Sequence, residues 1–523
     1  MTSPVSPWRF EFQRSPSLPP LAWLARVRDL VVAVNVGRSV RLDERGFFEG
    51  TWSGAPGLPA VARSSTVFGS GIVIDGRELI VVPPSHMLEP VYLATERDGT
   101  LVISNSLVAL LCATGRELDS ETLYPPLVGT SNRGLSHAVQ ATPTTTDPIT
   151  LNYFENLLVN INGSKIVRPK PRDEPFGSFS DYRDRLVAHV RSAFDNAPGY
   201  SPAVAMSAGY DSTAAAAVGA AAGCRRALTF RTGRAWAGHR GDADSCDVAA
   251  DALGLTVDRF DRLAYQQLLD APEAEFLATG VTGEDVVFRS LERALPSTLL
   301  MTGFWGGAAW RGFDRTNLSR IDLSGASLGE FRLRVDMIHL PMPYIGGLQQ
   351  PSFSAFRSSP ELRPYSVGGG YDEPVARRLA EEAGVPRSSF GVQKLAASQR
   401  LNLYGLKAMS ASGRASFERF AGKDALTSLP RKKVIRGGHR AAIKIAHALH
   451  ADWLVAGLVE RRWRVVHFEP VLGSLLLRWA VDEIRPRYAE LVRSANVAAV
   501  DPSSPAATAD VQPAAARAAP VSG

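Results

Sequence analysis

The chain has 523 residues, 45% of them hydrophobic and 21% charged, a balance that excludes wholesale disorder and suits two to four domains at about 150 residues each. A net charge of +6 is a weak field over so large a surface. The densest basic run, Arg431-Lys432-Lys433, is too short to track phosphates, so no nucleic-acid partner is expected.

Residues 1–29 open Pro- and Ser-rich and read as a loosely ordered lead-in without the apolar stretch of a signal peptide. Residues 30–170 carry short β-type runs (LVVAVNV, GIVIDG, ELIVVPP) broken by Gly, Asp and Pro, predicting a β-rich α+β domain. Val91 to Asn105 predicts a hairpin turning at Asp98-Gly99, and Leu107 to Thr114 a short helix. Lys165 to Ser178 reads as a connector, and Asp181 to Phe194 shows helical spacing.

From Pro202 strands and helices alternate: AVAMS, an Ala-rich helix, ALTFRT, a helix through Ala249 to Leu253, then TVDRF. This predicts a parallel sheet with crossover helices within an α/β unit spanning 178–495. Beyond Pro341 the pattern is mostly helical, including Arg440 to Trp463 and LGSLLLRWAVDEI. Residues 496–523, rich in Ala, Pro and Ser, are expected to be disordered. Cys112, Cys224 and Cys246 form no metal or disulfide pattern, which suits free thiols in a reducing cytoplasm. No run of 18 apolar residues predicts a membrane span.

Ser207-Ala208-Gly209-Tyr210-Asp211-Ser212 follows an apolar strand and opens the Ala-rich helix. A Gly-containing turn there presents backbone N–H groups and a positive dipole end to an anion. The two serines add hydroxyls, and Asp211 suits a magnesium ion shared with phosphates. The competing reading is an ordinary turn with a capping residue.

The hexapeptide resembles the SGGxD[ST] pyrophosphate loop (PP-loop) of the N-type ATP pyrophosphatases, with Ala208 in place of one Gly. Three further stretches are similar to the asparagine synthetase superfamily, which includes β-lactam synthetases and lasso-peptide cyclases. Pro90 to Leu111 resembles the end of its glutaminase-type domain. Thr302-Gly303-Phe304-Trp305-Gly306-Gly307 falls at its SGEGSD loop, and Arg363 to Lys394 at its "R.PflD" to "R.K" region. The resemblance implies a PP-loop ATP-pyrophosphatase domain, a degenerate glutaminase-like N-terminal domain and a helical C-terminal part.

By the same resemblance, ATP and Mg²⁺ bind at Ser207, Ala208, Gly209, Tyr210, Asp211, Ser212, Thr229, Thr302 and Gly303. Asp211 is the metal ligand, and Lys394 stabilises charge at an acyl-adenylate. The implied activity is an AMP-forming amide ligase acting on a small-molecule or peptide carboxylate. Two departures bear on this. A glutaminase of this family needs a Cys at position 2, where this chain has Thr2, and its second metal carboxylate falls on Gly307, preceded by Phe304. Ammonia or a substrate amine is therefore the expected nitrogen source, and a nucleotide-binding protein without turnover is the alternative.

Asp314, Asp322, Glu284 and Asp285 are candidates to replace the missing carboxylate. Asp372 reads as a cap for the helix opening at Pro374. Asp244 and Asp247 suit a helix start, and His339 reads as a packed histidine. Arg320, Asp322, Glu330 and Arg332 read as surface ion pairs, and Arg436 to Arg440 as a basic turn.

Overall fold

The computed structural model describes residues 6–124, 134–135, 140–235, 245–279, 283–310, 324–368, 371–392, 395–399, 401, 405–427 and 470–491. Thr2, Asp244, Asp314, Arg320, Asp322, Lys394, the basic residues 431–433 and 436–440, the run 440–463 and the tail 496–523 lie outside the described residues.

The N-terminal part is built from thirteen strands among the described residues: β1 (Arg9–Arg14), β2 (Trp23–Arg28), β3 (Val31–Val36), β4 (Arg41–Asp43), β5 (Gly46–Trp52), β6 (Val67–Asp75), β7 (Glu78–Val82), β8 (Val91–Thr95), β9 (Leu101–Ser104), β10 (Ala141–Thr142), β11 (Ile149–Asn152), β12 (Asn156–Val159) and β13 (Lys165–Arg168). One sheet runs β1-β3-β2-β9-β8-β11-β10 and the other β13-β12-β7-β6-β5-β4. All pairs are antiparallel except β1 with β3. Trp23, Val27, Val32 and Leu93 of the first sheet share one core with Phe47, Ile72, Val81 and Leu157 of the second, as two sheets packed face to face require.

The expected hairpin is β8–β9, with Gly99 at φ 86 in its turn. The expected short helix is α1 (Leu107–Thr114), capped by the Ser106 hydroxyl. Two expectations need correction. The lead-in 1–29 supplies strands β1 and β2, because Phe10 and Phe12 alternate onto the edge of Phe47 and Trp23 to Ala25 are fully buried. Composition hid this two-residue periodicity. The connector Lys165–Ser178 begins as strand β13, after which Lys170 is buried, its ammonium donating to the carbonyls of Pro83 (2.6 Å) and Phe154 (2.8 Å).

After helix α2 (Phe179–Asp195), five strands form one all-parallel sheet: β14 (Ser201–Ala205), β15 (Arg226–Phe230), β17 (Thr256–Phe260), β18 (Thr298–Thr302) and β19 (Met337–Pro341). The short strand β16 (Arg234–Ala235) pairs instead with β20 (Leu395–Ala396). The spatial order β17-β15-β14-β18-β19 reverses between β14 and β18, and ligands of open parallel sheets bind outside the carboxyl ends at such a switch. β18 and β19 are buried at every position whereas the edge strand β17 is not, which accounts for the continuous apolar run of STLLM.

Helix α3 (Tyr210–Ala222) joins β14 to β15, and α4 (Asp247–Ala252) lies between β15 and β17. The small residues of α3 let it sit close to the sheet: a side chain at Gly219 would come within 2.7 Å of Met301 Cε. Helices α5 (Gly306–Ala309) and α6 (Gly329–Val335) follow β18, and α7 (Pro374–Glu382), α8 (Ala411–Thr427) and α9 (Pro470–Ile484) follow the sheet.

The expectation of surface pairing at Glu330 and Arg332 is overturned, since both are buried. Arg332 on α6 donates to Glu49 of the sandwich (2.8 and 2.9 Å) and to Glu89 (2.6 Å). Glu330 accepts from Ser106 (2.5 Å) and Tyr488 (2.7 Å). These residues face the interface between the sandwich and the parallel sheet, screened from bulk solvent.

Candidate functional site

Two loops leave the carboxyl ends of β14 and β18 on either side of the switch point. The first, Ser207 to Gly209, leads into α3. Ser207 Oγ lies 2.7 Å from Ser212 Oγ, and Ser207 N–H donates to the same Ser212 hydroxyl at 3.2 Å. Gly209 N–H donates to Ser207 Oγ at 3.2 Å, and Tyr210 N–H reaches only the Tyr371 hydroxyl, at 3.5 Å. These N–H groups belong to the first turn of a helix, where intrahelical acceptors are lacking, and both are met by long side-chain contacts. Ser207, Ala208, Gly209, Asp211 and Ser212 are half-buried, so the loop stays accessible.

Tyr210 departs from this pattern, since its side chain is fully buried. Its ring packs on Tyr371 (4.7 Å) and Phe390 (5.9 Å), and its hydroxyl accepts from Arg377 at 2.6 Å. Tyr210 therefore contributes backbone to the loop while its side chain anchors α7 beneath it.

The second loop is built to approach the first. A Cβ at Gly303 would lie 2.4 Å from the Asp211 carbonyl, and one at Gly306 2.3 Å from Asp211 Oδ1. Both positions thus need glycine so that the loop after β18 can lie against Asp211. Between them Trp305 takes a left-handed conformation (φ 74) and stacks on Tyr344 at 4.5 Å. For a residue other than glycine that conformation costs about 1–2 kcal/mol. Phe304 packs edge-on against Phe288 and His339.

Gly307 is different. A Cβ there would meet only Glu373 Oε1, at 4.0 Å. Glu373 is 1% exposed, and its Oε2 has no hydrogen-bond partner. It precedes α7 without capping it. Burial, then the Asp211 and Glu373 carboxylates, raise the Tyr371 hydroxyl above its ordinary range.

The other expected residues fall as follows. The Thr302 hydroxyl is 2.9 Å from His339 Nε2, deep under the second loop. Burial lowers the His339 imidazole to about 3, so it is the neutral, packed histidine expected. Thr229 is 4% exposed on β15, beside the strand carrying the first loop. Gly391 N–H donates to the Ala208 carbonyl at 2.8 Å, which pins the chain three residues before Lys394 to the first loop.

Asp372 does not cap α7: its carboxylate accepts from Ser366, Val367 N–H and Gly368 N–H and so closes the preceding turn. Asp247 pairs with Arg259 at the start of α4. Asp285 is committed elsewhere, accepting from Gly325 N–H and from the backbone and hydroxyl of Ser327 (2.9, 3.1 and 2.6 Å). Burial raises it to about 7, and Glu284 is buried beside it. Sequence reasoning missed Glu373; the available signal was a carboxylate immediately before a Pro that opens a helix.

Among the described residues no group of three or more His, Cys, Asp or Glu side chains is arranged around a metal ion, and no helix is long and apolar enough to cross a membrane. The three cysteines are free and buried. Fold and loops together define a mixed α/β protein whose all-parallel sheet brings two glycine-bearing turns into contact at its switch point. Compared with known proteins, the chain matches no family model and no curated sequence.

Proposed function

We propose that the protein is an AMP-forming carbon–nitrogen ligase of the asparagine synthetase type, with ATP bound on the Ser207–Ser212 loop. The observation that carries this reading is the meeting of the two loops at the switch point, where Gly303 and Gly306 are backed against Asp211. An anion at that helix start gains the N–H groups of Gly209 and Tyr210, whose present contacts are long enough to be exchanged. Ser207 and Ser212 offer hydroxyls, and Thr229, Thr302 and Gly303 line the strand ends on either side.

The donor set also suits a magnesium ion. Asp211 would hold it, and an orphaned carboxylate oxygen on Glu373 lies buried nearby. Magnesium bound there neutralises phosphate charge. The chain itself contributes positioning and fixed dipoles, which is most of what transfer at phosphorus needs. A substrate carboxylate oxygen attacks the α-phosphorus and the bond to pyrophosphate breaks. An amine then attacks the acyl carbon, loses a proton and expels AMP. Lys394 is assigned to stabilising that charge by resemblance alone. The acid is a small molecule or peptide, and the nitrogen comes from ammonia or a substrate amine.

A nucleotide-binding protein without turnover is the second reading, favoured by the apolar packing of Phe304 and the missing side chain at Gly307. Exchange of labelled pyrophosphate into ATP separates the two. Exchange stimulated by a member of a carboxylic-acid panel supports the ligase. Tight ATP binding with no exchange across that panel supports the second reading.

A further inference from the structure

We propose that Glu373 supplies the second metal carboxylate of this site, reaching from the start of α7 into the space left open by Gly307. The assignment rests on the ATP-site reading above. A magnesium ion on phosphates takes one or two protein carboxylates, and the described residues 303–310 after β18 offer none. The open side of Gly307 has a single neighbour, Glu373 Oε1 at 4.0 Å. Adjacent Gly306 faces Asp211 Oδ1, so two consecutive glycines look onto two carboxylates contributed by different segments.

Glu373 has the features of a ligand rather than of a structural acid. It is 1% exposed, yet its Oε2 has no hydrogen-bond partner among the described residues, and buried carboxylates are otherwise hydrogen-bonded or paired. It makes no cap to its own helix. Arg377, one turn along, gives its terminal nitrogens to Glu381 (3.1 Å) and the Tyr210 hydroxyl (2.6 Å) and makes no ion pair with Glu373 among the described residues, its Nε staying buried without a hydrogen-bond partner there. Tyr371, two residues before Glu373, meets the Tyr210 N–H of the first loop with its hydroxyl, which brings the start of α7 against that loop.

The test uses the full chain and Mn²⁺ as the probe, with free Mn²⁺ read by electron paramagnetic resonance in the presence of a non-hydrolysable ATP analogue. Binding of the analogue without divalent metal is measured in parallel by calorimetry. Glu373→Gln should weaken Mn²⁺ affinity by roughly tenfold or more while metal-free analogue binding stays unchanged. Gly307→Asp in the Glu373→Gln background should recover most of that loss. Glu373→Asp, which keeps the charge on a shorter stem, should fall between and serves if the Gln variant does not fold. Unchanged Mn²⁺ affinity in a folded Glu373→Gln or Glu373→Asp protein overturns the assignment alone. A wild type that binds no analogue, with or without metal, overturns the ATP-site reading and this assignment with it.

Discussion

Gly303 and Gly307 stand four residues apart in one loop and differ in what a side chain would meet. At Gly303 a Cβ would strike the backbone of Asp211 and Ser212 at 2.4 to 2.7 Å, atoms that cannot swing away. At Gly307 it would find only the Glu373 carboxylate at 4.0 Å. Gly303→Ala should therefore cost about 1–3 kcal/mol in urea unfolding, and Gly307→Ala less than about 1 kcal/mol. Equal losses would mean that the loops are not in contact as described. Asp211→Ala should lose ATP-dependent turnover in a protein that still folds, because the shorter side chain relieves the close approach of the carboxylate to Gly306 rather than adding to it. A variant that unfolds, or that turns over normally, would make Asp211 a structural residue. At this scale the first loop was plain in the sequence, since a strand–turn–helix junction is local. Glu373 could not be read that way: its significance lies in an approach to Gly307 across 66 residues of chain, and the local pattern favoured Asp372.

Strand β19 carries His339 under the second loop, where the imidazole nitrogen meets the Thr302 hydroxyl. Burial holds the ring neutral down to about pH 3, whereas an unfolded chain takes up the proton near 6.5. Between those values the unfolded state binds more protons, so this residue makes the fold lose stability as pH falls from about 6.5 towards 3. His339→Gln, which keeps a hydrogen-bonding group for Thr302, should flatten that limb of the curve relative to wild type in denaturant titrations between pH 4 and 7. Parallel curves would show that the ring is not held neutral. Most elements were legible from periodicity: the hairpin at Gly99, helices α1, α2, α3 and α9, and all the strands read between Ala203 and Met301. Strand β1 was not, because its residues RFEFQR are mostly exposed and lie in a Pro-rich setting. Its partner β3 fixes it from outside the local sequence.

The two halves of the molecule are joined by a buried cation between two acids, Arg332 with Glu49 and Glu89. Arg332→Met should cost about 3–5 kcal/mol, because it leaves two buried carboxylates without their cation. Glu49→Gln in that background should recover part of the loss. A single unshifted unfolding transition in Arg332→Met would contradict this role. Local sequence carries no sign of it, since burial of Arg332 depends on the sandwich docking against α6. Burial lifts the Cys112 thiol to about 11 inside α1, and Cys224 and Cys246 are buried too. The purified protein should release no glutamate from glutamine above a buffer blank; ATP-dependent release would overturn the assignment of ammonia or an amine as nitrogen source.

The central claim is that the nucleotide binds where the loops after β14 and β18 meet. Photo-crosslinking with an azido-adenine ATP analogue in magnesium, followed by peptide mapping, tests it most directly. The account predicts label on the segment 203–232 or on the loop 302–310, removed by excess ATP and lost in Asp211→Ala. Label confined to other segments, or label that ATP does not displace, would contradict it.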